Sequence, residues 1–199
     1  MRRLPLELPR PSEGTPAPAS NAWALLPEEL VDQGITSGKA TFAALQRPWR
    51  WREHKPDLSP RLLTELRRSG LDRPTIERLE HSEDGAKKLL LRTGHDLIEA
   101  VHMPRRVNAG DRITLCISSQ VGCAMGCNFC ATASMGFIRH LSAGEIVAQV
   151  LVALHELGPR HPGELTLVFM GMGEPLHNLG NVAHAIDVLT APGGLGISP

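Results

Sequence analysis

Along residues 111 to 199 the spacing of apolar positions switches repeatedly between two periods. In Arg112–Ser119, Ile113, Leu115 and Ile117 alternate with Thr114, Cys116 and Ser118, the two-residue period of a strand with one apolar and one polar face. Beyond it, Ile146, Val147, Val150, Leu151, Leu154 and Leu157 follow helical spacing, and Ser142-Ala-Gly-Glu145 places a capping box ahead of them. A second strand is predicted over Leu165–Met170, ending in Gly171-Met-Gly-Glu-Pro175. A second helix follows from Val182, Ala185, Ile186 and Leu189, before the Pro192-Gly193-Gly194 turn. Strand, loop, helix, strand, loop, helix is the order of parallel strands with helices packed outside them. The expected fold class is α/β, a partial (β/α) barrel. Its apolar strand face meets the helices, so Cys116 points into the cavity.

Upstream, Lys87–Arg92 and Leu97–Met103 are two β-prone runs around Thr93-Gly-His-Asp96, which reads as a hairpin. Residues 21 to 81 read as a small helical domain. Within them Ser59 can cap a helix, Pro60 suits its first turn, Leu62, Leu63 and Leu66 form its apolar stripe, and Gly70 can end it. Residues 1 to 20 hold five prolines and little that can pack, the composition of a flexible leader. The chain therefore divides into a leader (1–20), a helical domain (21–81), a β-hairpin linker (82–110) and an incomplete barrel (111–199), with a boundary near Gly110.

At 199 residues and 42% hydrophobic content the chain can bury one sizeable core. No run approaches the roughly 18 apolar residues of a membrane helix, and the Arg-containing, Pro-rich start lacks the apolar middle of a signal peptide. No membrane partner and a cytoplasmic location are expected. Net charge is zero, split into +3 over residues 1 to 112 and −3 beyond, too little to argue for a nucleic-acid partner by itself. Arg47-Pro-Trp-Arg-Trp-Arg-Glu-His-Lys55 interleaves two tryptophans with four cations, as an RNA-contacting surface does, although helical domains also bury tryptophans. Nothing in the spacing of His102, His140 and His177 suggests ligands.

Four cysteines change the picture most. Cys123, Cys127 and Cys130 fall within eight positions, on a loop directly after a strand, with Gly122 and Gly126 to let the backbone fold round a bulky group. Three thiolates fill three corners of a [4Fe–4S] cluster and leave one iron open to a substrate. Structural zinc usually pairs two separated Cys knuckles, and here there is no second one. On spacing alone, zinc and unligated thiols remain alternatives.

Cys-x₃-Cys-x₂-Cys with an aromatic residue, Phe129, before the last cysteine resembles the signature of the radical S-adenosylmethionine superfamily. That resemblance implies a barrel of the radical SAM type and a cluster held by Cys123, Cys127 and Cys130. It also implies S-adenosylmethionine on the open iron, near Phe129, cleaved to a 5′-deoxyadenosyl radical by an electron from a donor such as flavodoxin. A narrower resemblance runs through Ser82-Glu-Asp-Gly85, Ile98-Glu-Ala-Val101, Thr114-Leu-Cys-Ile-Ser-Ser-Gln-Val-Gly-Cys123, Gly136-Phe137, Ala143-Gly-Glu-Ile146 and Phe169-Met-Gly-Met-Gly-Glu-Pro175. These blocks are similar to the adenine-C2 methyltransferases of large-subunit (23S) ribosomal RNA and transfer RNA.

That family implies a monomer acting on rRNA and tRNA. It implies contact of Gly173 and Glu174 with S-adenosylmethionine, a proton-accepting Glu99, and a Cys116 that forms a disulfide with a methyl-carrying cysteine to release methylated RNA. Each residue has a plainer reading: Glu99 as a solvated strand residue, Gly171–Pro175 as a strand-to-helix turn, Cys116 as a buried thiol. The chain stops at Pro199 with no cysteine after Cys130, so it is expected to be an N-terminal fragment that does not methylate RNA alone. Two other classes stay open: a radical enzyme for a small molecule or peptide, and a non-catalytic zinc or RNA-binding module.

Overall fold

In the computed structural model the described residues are 22–32, 35, 38–46, 64, 73–107, 110–157 and 165–197. Strands β1 (Thr75–His81), β2 (Lys87–Thr93), β3 (Asp96–Val107) and β4 (Gly110–Cys116) form an antiparallel meander. Two short strands, β5 (Gln120–Gly122) and β6 (Phe137–His140), pair with each other apart from that sheet. Strand β7 (Leu165–Val168) lies parallel to β4, completing the order β1-β2-β3-β4-β7.

Alternation in the sequence gives the large sheet two unlike faces. Cross-strand partners Leu89 and Ala100, Leu91 and Ile98, and His102 and Leu115 are all buried on one face, with Ile113. Each fully buried leucine or isoleucine there contributes roughly 1.5–3 kcal/mol. The opposite face carries Lys88, Leu90, Glu99, Val101, Met103, Thr114, Cys116 and Val168, mostly half-buried.

The helices are α1 (Pro27–Asp32), α2 (Gly38–Leu45), α3 (Ala143–Leu157) and α4 (Leu179–Thr190). Helix α3 packs against β2 and β3, and α4 and a 3-10 turn at Ala22–Ala24 cover it from other sides. Enclosure on several sides explains why every residue from Ala143 to Leu154 is buried, Glu145 and Gln149 included. Trp23, Leu30 and Phe42 join the same core, and the His184 ring on α4 hydrogen-bonds the Ala24 carbonyl at 2.7 Å.

The hairpin, the capped helix and the parallel pairing of two strands follow the sequence reading. Other expectations are corrected. Residues 75–81, placed in the helical domain, form a strand. Ile76 and Leu79 are three apart, a helical interval, but the register shifts between Ile76 and Arg78, so they oppose Leu91 and Leu89 of the buried face. The sheet also runs unbroken past residue 110, where Val107 pairs with Gly110 in a β3–β4 hairpin. Strand β4 stops at Cys116 rather than Ser119, and β7 at Val168 rather than Met170. On α4 the buried arc runs through Val182, Ala185, Val188 and Leu189, leaving Ile186 40% exposed. No closed barrel is present among the described residues. The 1–20 leader, the 47–55 segment and, apart from helical Thr64, the 59–70 helix lie outside them.

Candidate cluster and cofactor site

The three clustered cysteines lie on a loop pinched shut at its base. Strands β5 and β6 flank it, and the Cys123 amide donates to the Gly136 carbonyl at 2.9 Å. Gly122, with φ of 70°, sits so close to this contact that a Cβ would overlap the Gly136 carbonyl oxygen; only glycine fits. Beyond the pinch, Cys123 is buried, Cys130 half-buried and Cys127 exposed. The Ala133 amide, followed by that of Thr132, pulls the Cys130 thiol below its ordinary value. Phe129 stands 90% exposed on the rim.

No group of three or more His, Cys, Asp or Glu side chains among the described residues stands together as a metal site, so the three sulfurs do not converge here. The donor set nonetheless fits an iron–sulfur cluster. Three soft thiols alternate with no carboxylate or imidazole, on a solvent-facing loop whose ends are fixed.

A second loop, Gly171–Pro175, leaves β7 beside the segment that leaves β4, and the two are stitched together. The amides of Ser119 and Gln120 both donate to the Met172 carbonyl at 2.9 and 3.1 Å, and the Gly171 amide donates to the Ile117 carbonyl. Ser118 Oγ accepts from the Met172 amide at 2.9 Å and donates to the Glu99 carbonyl at 2.6 Å. Gln149 of α3 holds the Ser118 backbone from both sides, and Asn178 Nδ2 donates to the carbonyls of Ser119 and Leu141. Gly173 has φ of 101°, and a Cβ there would stand 2.5 Å from that of Gln120. Glu174 Oε1 accepts from the Leu176 amide, capping the 3-10 turn Pro175–Asn178.

Glu99 and Cys116 share the half-buried face of the sheet. Cys116 sits opposite Val101, and Glu99 lies two residues from Val101 on the same strand face. Lys88 approaches Glu99 Oε1 at 3.2 Å and Glu80 at 3.4 Å; Glu99, more than Glu80, raises the lysine's pKa. Burial pushes the Cys116 thiol up, against a smaller pull from the Met170 amide. Structure thus brings Gly173 and Glu174 against Gln120 at the base of the cysteine ribbon, and Glu99 and Cys116 to one face of the sheet. Sequence reasoning missed Ser118, Gln120, Gln149 and Asn178, which do the stitching. Gln149, a polar residue inside an apolar helical arc, was the available signal.

No protein-family model matches the chain. A protein of Syntrophotalea carbinolica named dual-specificity RNA methyltransferase RlmN is 46% identical over 182 residues, covering 86% of this chain and 47% of that protein. One of the same name from Nitratidesulfovibrio vulgaris (strain DP4) is 50% identical over 131 residues, covering 63% of this chain and 36% of its own length. In three dimensions the chain is similar to the crystal structure of a radical SAM methyltransferase from Sphaerobacter thermophilus. The TM-score is 0.73 at 32% identity, over 90% of this chain and 54% of that one. The chain spans about half the length of the curated relatives it matches. With the stitched loops, the shared fold and this identity over most of its length, the chain belongs to the RlmN family of radical SAM methyltransferases.

Proposed function

We propose that this chain contributes the cluster-binding and cofactor-binding part of a radical SAM methyltransferase acting on C2 of adenine in 23S ribosomal RNA and in transfer RNA. The observation that carries the proposal is the joining of the Gly171–Pro175 loop to the Ile117–Gln120 segment that leads into the cysteine loop, past the carboxyl ends of parallel strands β4 and β7, the end at which parallel α/β folds bind ligands. Cys123, Cys127 and Cys130 would hold a [4Fe–4S] cluster. When bound, and reduced by a donor such as flavodoxin, the cluster supplies the electron that cleaves S-adenosylmethionine.

The remaining work falls to the chain's own side chains. Gly173 lets the backbone approach the cofactor, and Phe129, exposed on the cysteine loop, contacts it as well. Glu174, with Oε1 engaged by the Leu176 amide, offers Oε2 to a cationic group such as the cofactor's ammonium. Glu99 accepts a proton, and the Lys88 ammonium, 3.2 Å from its Oε1, orients the carboxylate. Cys116 stays protonated, because burial disfavours its thiolate, until it is needed as a resolving thiol. A monomer working in the cytoplasm completes the reading, and no helix among the described residues is long and apolar enough to cross a membrane.

The test is anaerobic reconstitution followed by metal, sulfide and ligand-binding measurements. About four iron and four sulfide per chain, with saturable binding of S-adenosylmethionine, is the expected result. Zinc without sulfide would sink the proposal.

A further inference from the structure

Gln120 is fully buried, yet its amide spans two elements that sequence places far apart. Its Oε1 accepts from the Glu174 amide at 2.8 Å, and its Nε2 lies 3.0 Å from His140 Nδ1 at the far end of the β5–β6 ribbon. The orientation of this amide is determined by chemistry. A backbone N–H can only donate, so the oxygen must face Glu174 and the NH₂ must face His140, whose Nδ1 then accepts. The main chain of the same residue donates to the Met172 carbonyl, and its Cβ and Cγ occupy the space that a side chain at Gly173 would need. Three residues further on, directly after β5, comes Cys123. One buried side chain therefore bears on the Gly173–Glu174 loop, on the partner strand of the ribbon, and on the strand that enters the cysteine loop.

We propose that Gln120 is a positioning residue: it sets the Gly173–Glu174 loop at a fixed height over the cysteine loop, and so sets the affinity of the site for S-adenosylmethionine. This rests on the cluster and cofactor reading above for its functional consequence, but not for its geometry. Gln120 touches neither ligand; it acts through the Glu174 backbone on one side and through His140 on the other.

The experiment uses this chain in two states. In the cofactor-free state, amide hydrogen exchange at Glu174 is measured for wild type, Gln120→Met, Gln120→Glu and His140→Ala. Gln120→Met keeps the volume and removes both hydrogen bonds; Gln120→Glu keeps an acceptor for the Glu174 amide. Losing one buried hydrogen bond should speed Glu174 exchange by about ten-fold in Gln120→Met. Gln120→Glu should restore most of the protection, and His140→Ala, at an exposed position, should show a smaller acceleration. In the reconstituted state Gln120→Met should bind S-adenosylmethionine about ten-fold more weakly at unchanged iron and sulfide content. A merely structural role would lower cluster content and affinity together and would not be rescued by Gln120→Glu.

Unchanged Glu174 exchange in both Gln120→Met and His140→Ala overturns the inference. So does a clustered Gln120→Met chain with wild-type affinity. If Gln120→Met fails to fold, the His140→Ala and Gln120→Glu exchange rates decide. A wild-type chain that takes up no cluster sinks the cofactor reading instead, and the exchange rates still decide whether Gln120 holds the loop.

Discussion

Arg139 and Glu145 meet in a two-pronged ion pair, Nη2 to Oε1 at 2.8 Å and Nη1 to Oε2 at 2.9 Å. Strand β6 is thereby tied to the first turn of α3. Arg139 Nε also donates to Asp96 in the β2–β3 turn at 2.7 Å, and Thr93 of the same turn donates to Glu145. Cysteine ribbon, hairpin and helix N-terminus thus share one small charged network. Burial opposes the charge on both partners. Arg139 and the groups around it nevertheless hold the Glu145 carboxyl below its usual value, and Glu145 and Asp96 hold the arginine above its own.

A stability consequence follows for Glu145→Gln. Removing one partner leaves a half-buried guanidinium with Asp96 as its remaining carboxylate, and should cost about 2 kcal/mol in chemical denaturation. Because the folded pKa of Glu145 is depressed, its contribution is complete above the ordinary glutamate value of about 4.3 and is lost as pH falls through the folded value. Stability of wild type should therefore drop on acidification below that range, and Glu145→Gln should show a flatter profile. Parallel profiles would remove the pair from the account.

Cluster uptake separates the cysteines. Alanine at any one of Cys123, Cys127 or Cys130 should abolish iron and sulfide incorporation, since three thiolates are the minimum set. Cys116→Ala should incorporate both normally, because Cys116 lies on β4, outside the pinched loop. Iron loss in Cys116→Ala would overturn the assignment.

Thiol reactivity in the cluster-free chain should follow exposure. Cys127, exposed, and Cys130, with its lowered pKa, should be alkylated first, and Cys116 last. Raising the pH above the ordinary thiol value of about 8.5 should be needed before Cys116 reacts appreciably. Mass spectrometry of partially alkylated chain reads the order directly, and early labelling of Cys116 would contradict its burial.

Gly122→Ala should disrupt the cysteine loop selectively. Its positive φ and the collision with the Gly136 carbonyl oppose any side chain, at a cost of roughly 1–3 kcal/mol for the backbone conformation. The large sheet does not pass through residue 122, so far-ultraviolet circular dichroism should stay near wild type while cluster uptake falls. Full uptake would show that the pinch is not required.

Much of this arrangement is legible in the sequence where the determinants are local. Ser142 and Glu145 lie three apart, and their reciprocal capping contacts form as the spacing implies. The turn between Thr93 and Asp96 is equally local. Strand β1 was hidden because its bulge moves Ile76 and Leu79 onto one face at a helical interval. Strands β5 and β6 are three and four residues long and owe their pairing to the Cys123–Gly136 pinch rather than to any periodicity. The stitching residues were invisible for a different reason. Gln149 and Asn178 bond to the Ser118–Ser119 backbone across separations of 31 and 59 residues, and a buried glutamine or asparagine looks in sequence like a solvated one. Glu99 and Cys116 come to one face only through the β3–β4 register, although the strand-face alternation around Cys116 already gave its side of the sheet.

The sheet order has a kinetic consequence. Strands β1 to β4 each pair with their neighbour in the chain, so little loop-closure entropy opposes them and the meander can form early. Strand β7 meets β4 only after the chain has travelled out through the cysteine ribbon and back along α3. The Ser118, Gln120 and Asn178 bonds that unite the two loops all wait on that return. Loop-closure entropy thus places the joining of the Gly171–Pro175 loop to the Ile117–Gln120 segment late in folding: a ribosome-bound or partly unfolded molecule presents its three clustered cysteines on a ribbon that the Gly171–Pro175 loop does not yet brace.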